Sequence, residues 1–262
     1  MSRLSNSRLR LAIGEQAIDA SLWRGWLRPA QVAHKRHVRT GTGQWDDPLF
    51  DAVQQVLGDL ALQAPIDGVA LQVQLADSLL QFDVARGEFA GESERQLGIL
   101  AEASMSELLG DQASRHVLRW QLQRDGRHLL ICALPAAILQ ALQAVAQGRR
   151  LRLSRVESAF VAQWNRQMRA GLAEPAVLAM AGERHALIAC VERGSIITLR
   201  HATLSGLPAE QAAEFDGQID RLLASLGRSV AMAKSMVLID TARARRSWSN
   251  RWSVSSAVEG AA

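Results

Sequence analysis

The sequence predicts an α/β protein of two lobes, each opened by a meander of strands and followed by a helix. Three observations carry this. Short apolar-alternating runs cluster near Leu11 and again near Leu178. Helical periodicity follows each cluster. Gly, Pro or Asp-Gly punctuates the junctions between runs. The 262 residues suffice for one large domain or two lobes of roughly 130 residues each.

The elements follow in order. Leu9–Ile13, Ala17–Trp23 and about Trp26–Val38 read as three antiparallel strands. Pro48 opens a helix with Leu49, Val53, Val56, Leu57 and Leu60 on one stripe. Val69–Leu75 alternates as a strand, and Leu79–Val84 continues as another. Ser93 with Gln96 predicts a capping box for a helix that stops at Gly110. Val117–Gln123 and His128–Ala133 flank Asp125-Gly126, a hairpin turn. Pro135 starts a helix to about Ala146, and Arg149–Val156 is a strand. A short helix, Ser158–Met168, leads to strands at Ala176–Met180, His185–Val191 and Ser195–His201. Pro208 opens a helix striped by Phe215, Ile219, Leu222, Leu223 and Leu226, and Met236–Ile239 is the last expected strand. The expected division is 1–157 for the first lobe, with an inserted subdomain at about 69–148, then 158–242 for the second. Residues 243–262 are expected to form a flexible Arg/Trp/Ser tail.

Composition narrows the function classes. No window holds ~18 unbroken apolar residues, so no spanning helix is expected, and the polar, arginine-bearing start lacks a signal-peptide core. The expected location is the cytoplasm. Cys132 and Cys190 sit in apolar runs and are expected to be reduced core residues. The pI near 10 accompanies a net charge of only +4, because no tyrosine and few cysteines titrate between His and Lys. The basic exception is local: Arg243, Arg245, Arg246 and Arg251 cluster with Trp248 and Trp252, a possible interface anchor.

Compact catalytic sets are missing from the pattern. A P-loop needs Lys after a glycine-rich turn, and Thr40-Gly41-Thr42-Gly43-Gln44 has none. His34 and His37 flank two cations and fall on opposite strand faces, which disfavours a divalent metal. His116, His128, His185 and His201 have no patterned acid or cysteine partner. No Gly-x-Ser-x-Gly elbow occurs. Carboxylates near strand ends (Asp19, Asp77, Asp83 and Glu183) are the remaining candidates for paired acid chemistry.

The element order, with meanders at Leu11-Ala12-Ile13-Gly14 and Leu178-Ala179-Met180-Ala181-Gly182, resembles the actin-like, ribonuclease-H-like fold. Within it the chain is similar to the PilM-like and GspL cytoplasmic-domain group of type IV pilus and type II secretion assembly proteins. Leu71–Phe82 resembles that group's strand-turn-strand, Leu151–Asn165 the segment entering its second lobe, and Gly194–Arg200 a later hairpin. The resemblance spans about residues 8 to 240. It implies two lobes, each with a mixed sheet flanked by helices.

The resemblance also implies a nucleotide site that can be checked residue by residue. Active members carry an Asp-x-Gly type turn in each meander and a late glycine pair. Here the turns are Ile13-Gly14-Glu15-Gln16 and Ala181-Gly182-Glu183-Arg184, and Asp240-Thr241-Ala242-Arg243 has no glycine. The expectation is therefore a degenerate site at Gly14, Glu15, Gly182 and Glu183, with no cofactor, no metal and no catalytic residue. The implied role is a non-catalytic scaffold, peripheral to the inner membrane, that binds the short cytoplasmic tail of a membrane partner, with copies of itself as a further partner to test. Two alternatives stay open. One is a weak ATPase of the same fold, with Glu15 or Glu183 replacing Asp. The other is a basic adaptor whose C-terminal tail binds nucleic acid or anionic lipid; nucleic acid is the less favoured partner, because the basic segment is short.

Overall fold

Two five-stranded sheets with the same strand order organise the chain. The structure is a computed structural model, and it describes residues 7–15, 17–25, 28–38, 47–182, 184–204, 208–227, 235–240 and 252–256. The strands are β1 (Arg8–Ile13), β2 (Ala17–Arg24), β3 (Ala30–Val38), β4 (Ala70–Leu75), β5 (Gln81–Arg86), β6 (His116–Leu122), β7 (His128–Pro135), β8 (Arg152–Ser158), β9 (Ala176–Ala181), β10 (His185–Glu192), β11 (Ser195–Thr203), β12 (Ser235–Asp240) and β13 (Ser253–Ser256). The helices are α1 (Asp47–Gln63), α2 (Glu94–Leu109), α3 (Ala136–Gly148), α4 (Ala159–Arg169) and α5 (Pro208–Ser225).

The described residues fall into two compact units, one within 1–80 and 134–161, the other within 81–133 and 162–262. The first unit holds the sheet β3-β2-β1-β4-β8. Its meander is antiparallel, and β4 and β8 join in parallel. Alternation decides its faces. Leu9, Leu11, Ile13, Ile18, Ala20, Leu22, Leu71, Val73 and Leu75 are buried, while the residues between them are polar or small and partly exposed. The α1 stripe Leu49, Val53, Val56, Leu57 and Leu60 is buried with them, and α1 packs on β2 and β3 while α3 packs on β8. Arg149 ties α3 to α1, donating to the Gln54 carbonyl at 2.9 Å.

The second unit holds β11-β10-β9-β12-β13, an order matching the first strand for strand. Here β9 is buried at every residue and β10 at all but its ends. A strand covered on both faces reads as a continuous apolar run, and Ala-Val-Leu-Ala-Met-Ala is one. Phe215, Ile219, Leu222 and Leu223 of α5 pack on Val177, Ala179, Ile188 and Leu238. On β11 lies β5, whose Phe82 stacks on His201 at 6.0 Å. A third sheet, β5-β7-β6, carries α2. Leu97, Ala101 and Met105 meet Leu129, Ile131 and Ala133 there. Gly98 lets the Trp120 ring lie close on α2: a Cβ there would stand 3.1 Å from it, and the ring would have to give by a few tenths of an ångström. Ser93 and Gln96 form the expected capping box. Ser93→Ala is expected to cost about 1 kcal/mol in urea unfolding; an unchanged midpoint would remove the cap from the helix's energetics.

Two expected boundaries need correction. The insertion does not begin at 69, because β4 pairs with β1 from Arg8↔Ala70 to Ile13↔Leu75 and is a central strand of the first sheet. Nor does it extend to 148, because α3 packs against β8 of the first sheet. The part grouped outside the first unit is 81–133. The tail expected at 243–262 also contains structure. Ser253–Ser256 forms β13, parallel to β12 from Val237↔Ser253 to Asp240↔Ser256. It occupies the place in the second sheet that β8 holds in the first. Neither cysteine is disulfide-bonded; Cys190 is buried and Cys132 is half-buried. No helix among the described residues is long and apolar enough to cross a membrane.

Candidate functional site

Parallel strands of an open α/β sheet end together, and ligands of such folds sit beyond those carboxyl ends. In the first unit β1, β4 and β8 end at Ile13, Leu75 and Ser158. The first candidate turn, Gly14-Glu15, leaves β1 there. The Gly14 amide donates to the Ala17 carbonyl at 2.8 Å, closing the hairpin. A Cβ at position 14 would stand 3.0 Å from that carbonyl oxygen, so the close approach requires glycine. The Ala76 amide donates to the Ile13 carbonyl at 2.8 Å, locking the end of β4 beside the turn.

Asp77 follows, in the short helical turn Asp77–Leu79. Its Oδ1 accepts from the Phe160 amide at 3.1 Å, and the Ser158 hydroxyl accepts from the Val161 amide at 2.9 Å. These two side chains satisfy orphan amides in the first turn of α4. Phe160 is fully buried beneath them. Burial pushes the Asp77 carboxyl from 3.8 up to about 7; hydrogen bonds from Phe160 and Ser158 oppose this, and the charge of Glu15 adds to it. Asp77 is thus a half-buried, proton-holding group near neutral pH beside the Glu15 turn.

The second candidate turn lies in the other unit. The Gly182 amide donates to the His185 carbonyl at 2.7 Å, the same hairpin closure as at Gly14. Glu183 lies outside the described residues, as do Arg243, Arg245, Arg246, Trp248 and Arg251. Trp252 is described, and it corrects the expectation of an exposed anchor. It is 6% exposed. Its ring tilts against Phe215 at 5.5 Å, and its Nε1 donates to Asp216 at 2.7 Å. An indole whose nitrogen finds a partner is stable in a core, and here the partner is on α5.

His128, which lacks a patterned partner in sequence, has one in space. Its Nδ1 lies 2.6 Å from Asp125 in the Asp125-Gly126 hairpin. Partial burial works against the Asp125 charge, but hydrogen bonds from Arg127 and His128 prevail and lower its pKa below the usual value. The pair braces a turn and has no nucleophile beside it in any contact of the described residues. His34 and His37 alternate as expected, facing Ser21 and Ile18. Among the described residues no group of three or more His, Cys, Asp or Glu could hold a metal. Of the strand-end carboxylates, Asp19 pairs with Arg36 at 3.2 Å and Asp83 accepts from Ser104. Among these carboxylates that are described, Asp77 alone combines partial burial, a helix start and a second acid. Its sequence signal is a polar residue directly after an alternating strand.

A meander joined by two parallel strands, built twice in one chain, defines the class: this is an actin-like fold. No protein-family model matches the sequence, and no curated protein does. Among solved structures, a chain of the PilM–PilN type IV pilus biogenesis complex is similar with a TM-score of 0.65 and 14% identity, over 90% of this chain and 81% of that one. The cytoplasmic domain of EpsL, an inner membrane component of the type II secretion system of Vibrio cholerae, gives 0.55 and 12%, over 95% and 90%. A Bacteroides thetaiotaomicron protein with an actin-like ATPase fold and unknown function gives 0.58 and 10%, over 90% and 82%. The expected actin-like fold is therefore present, and the PilM–PilN chain and the EpsL cytoplasmic domain share it.

Proposed function

We propose that this protein is an assembly component of a type IV pilus or type II secretion platform, holding the cytoplasmic tail of an inner-membrane partner. The observation that carries the reading is the fold shared with the PilM–PilN complex across 90% of the chain. The fold shared with the EpsL cytoplasmic domain supports it from a second machine. In this reading the protein sits on the cytoplasmic side of the inner membrane through its partner.

The platform role needs no ATP hydrolysis, and three residue choices argue against it. Glu15 and Glu183 stand where Asp would place a metal, and no glycine follows Asp240 directly. Losing metal placement, phosphate contacts and the base pocket together leaves little binding energy. The alternative, a weak ATPase using Glu15, draws on the one acid retained beside Asp77.

Two measurements separate these readings. Titration with ATP and magnesium is expected to give no micromolar binding; a micromolar Kd would move the protein to the ATPase reading. A peptide copying the cytoplasmic tail of a single-span membrane protein encoded beside this gene is expected to bind and raise the melting temperature. A neighbourhood without pilus or secretion genes, together with no tail binding, would sink the platform reading.

A further inference from the structure

The two sheets share an order but not a surface. In the second unit β9 and β10 are buried on both faces. In the first unit one face is apolar and buried, and the registers place only polar and small residues, with one tryptophan, on the other across β1, β2, β4 and β8. One row runs Arg36, Asp19, Ala12, Gln74, Glu157. The next runs His34, Ser21, Arg10, Gln72, Arg155, and the third Gln31, Trp23, Arg8, Ala70, Arg152. Five strands at their usual spacing make a face about 20 Å wide.

We propose that this face docks against an anionic lipid surface. Five arginines (Arg8, Arg10, Arg36, Arg152, Arg155) share it with two carboxylates, Asp19 and Glu157. Asp19 lies 3.2 Å from Arg36 and Glu157 lies 2.6 Å from Arg155, so the face keeps a net positive charge of three. Arg10 lies over the Trp23 ring at 5.4 Å, an aromatic–guanidinium pairing that suits a headgroup layer. At the rim, β3 exposes Val32 at 47% and Val38 at 63%.

Charge and residue type select the occupant. A protein interface of ordinary strength needs an apolar centre, and the centre of this face is Ala12, Arg10 and glutamines. A single-stranded nucleic acid needs a series of stacking aromatics, and the three rows contain one, Trp23. An anionic bilayer needs a cationic surface with a few apolar rim groups, and this face supplies both. The inference does not depend on the pilus or secretion reading.

The test is sedimentation of the full chain with phosphatidylcholine vesicles, with and without about 30% phosphatidylglycerol. Binding is expected only with the anionic lipid and is expected to fall as salt rises. The triple variant Arg8→Gln, Arg152→Gln, Arg155→Gln is expected to lose binding about a hundredfold, from roughly fivefold per arginine. The matching triple Lys variant keeps the charge and is expected to bind within about threefold of wild type. Two controls carry equal charge loss: Arg95→Gln, Arg119→Gln, Arg221→Gln, on α2, β6 and α5, and Arg243→Gln, Arg245→Gln, Arg246→Gln, in the basic run of the sequence. Both are expected to bind nearly as wild type. If the Gln triple does not fold by circular dichroism, Arg152→Gln alone is expected to show about a fivefold loss. Equal binding to neutral vesicles, equal loss in either control, or capture by polyglutamate without capture by vesicles would each overturn the proposal.

Discussion

Trp252→Ala is expected to destabilise the second unit by about 3–5 kcal/mol, the range for removing a buried aromatic. The ring closes the cluster of Phe215, Leu222, Val177 and Leu238, and its Nε1 satisfies Asp216. The variant loses packing and a hydrogen bond and leaves a cavity beside α5. Trp252→Phe separates the contributions. It keeps most of the apolar area and is expected to cost about 1 kcal/mol for the lost hydrogen bond, plus a smaller packing term. Calorimetry of both variants checks the pair of values. If Trp252→Ala unfolds as the wild type does, β13 is a loose appendage rather than the fifth strand of its sheet.

Asp77→Asn is expected to change how stability depends on pH. The folded carboxyl titrates near 7 and the unfolded one near 3.8. The native state therefore binds the proton more tightly. Wild-type stability from this group is complete below pH 3.8 and is lost as pH rises through about 7. The shift of about three units sets a ceiling of about 4 kcal/mol on that loss. Asparagine keeps an acceptor for the Phe160 amide and carries no charge. The variant is therefore expected to gain on the wild type between pH 4 and pH 8, with the larger margin at pH 8. Urea midpoints at both pH values measure the difference, and a margin that stays constant with pH would show that Asp77 is not held proton-rich by its enclosure.

The meanders were readable because their signal is local. Leu9, Leu11 and Ile13 alternate with Arg8, Arg10 and Ala12, and β9 and the span 186–191 of β10 run apolar, so both sheets announce their burial within a few residues. The capping box at Ser93 and the hairpin at Asp125-Gly126 are local as well. β13 was not readable. Ser-Val-Ser-Ser has weak strand propensity and no alternation; pairing with β12 and the seat of Trp252 place it. Trp252 next to arginines reads as an interface, and only the position of α5 makes it core. The limits of the insertion depend on β4 meeting β1, a pairing between residues about sixty apart that no window can see. The same holds for Asp77. Its place after a strand is visible, but Ser158 and Phe160, which fix its chemistry, arrive from β8 and α4.

The route by which the chain leaves and re-enters the first unit has an engineering consequence. Segment 81–133 departs along β5 and returns along β7, and Gln81 and Ala133 are direct partners in that antiparallel pair. Direct partners stand about 5 Å apart. A graft can therefore replace the whole segment through a linker of two residues, joining Leu80 to Leu134 without stretching β4 or α3. Such a graft would also take β5 off β11, Phe82 off His201 and Gln123 off the Ile196 backbone, so the cost of the exchange falls on the second unit.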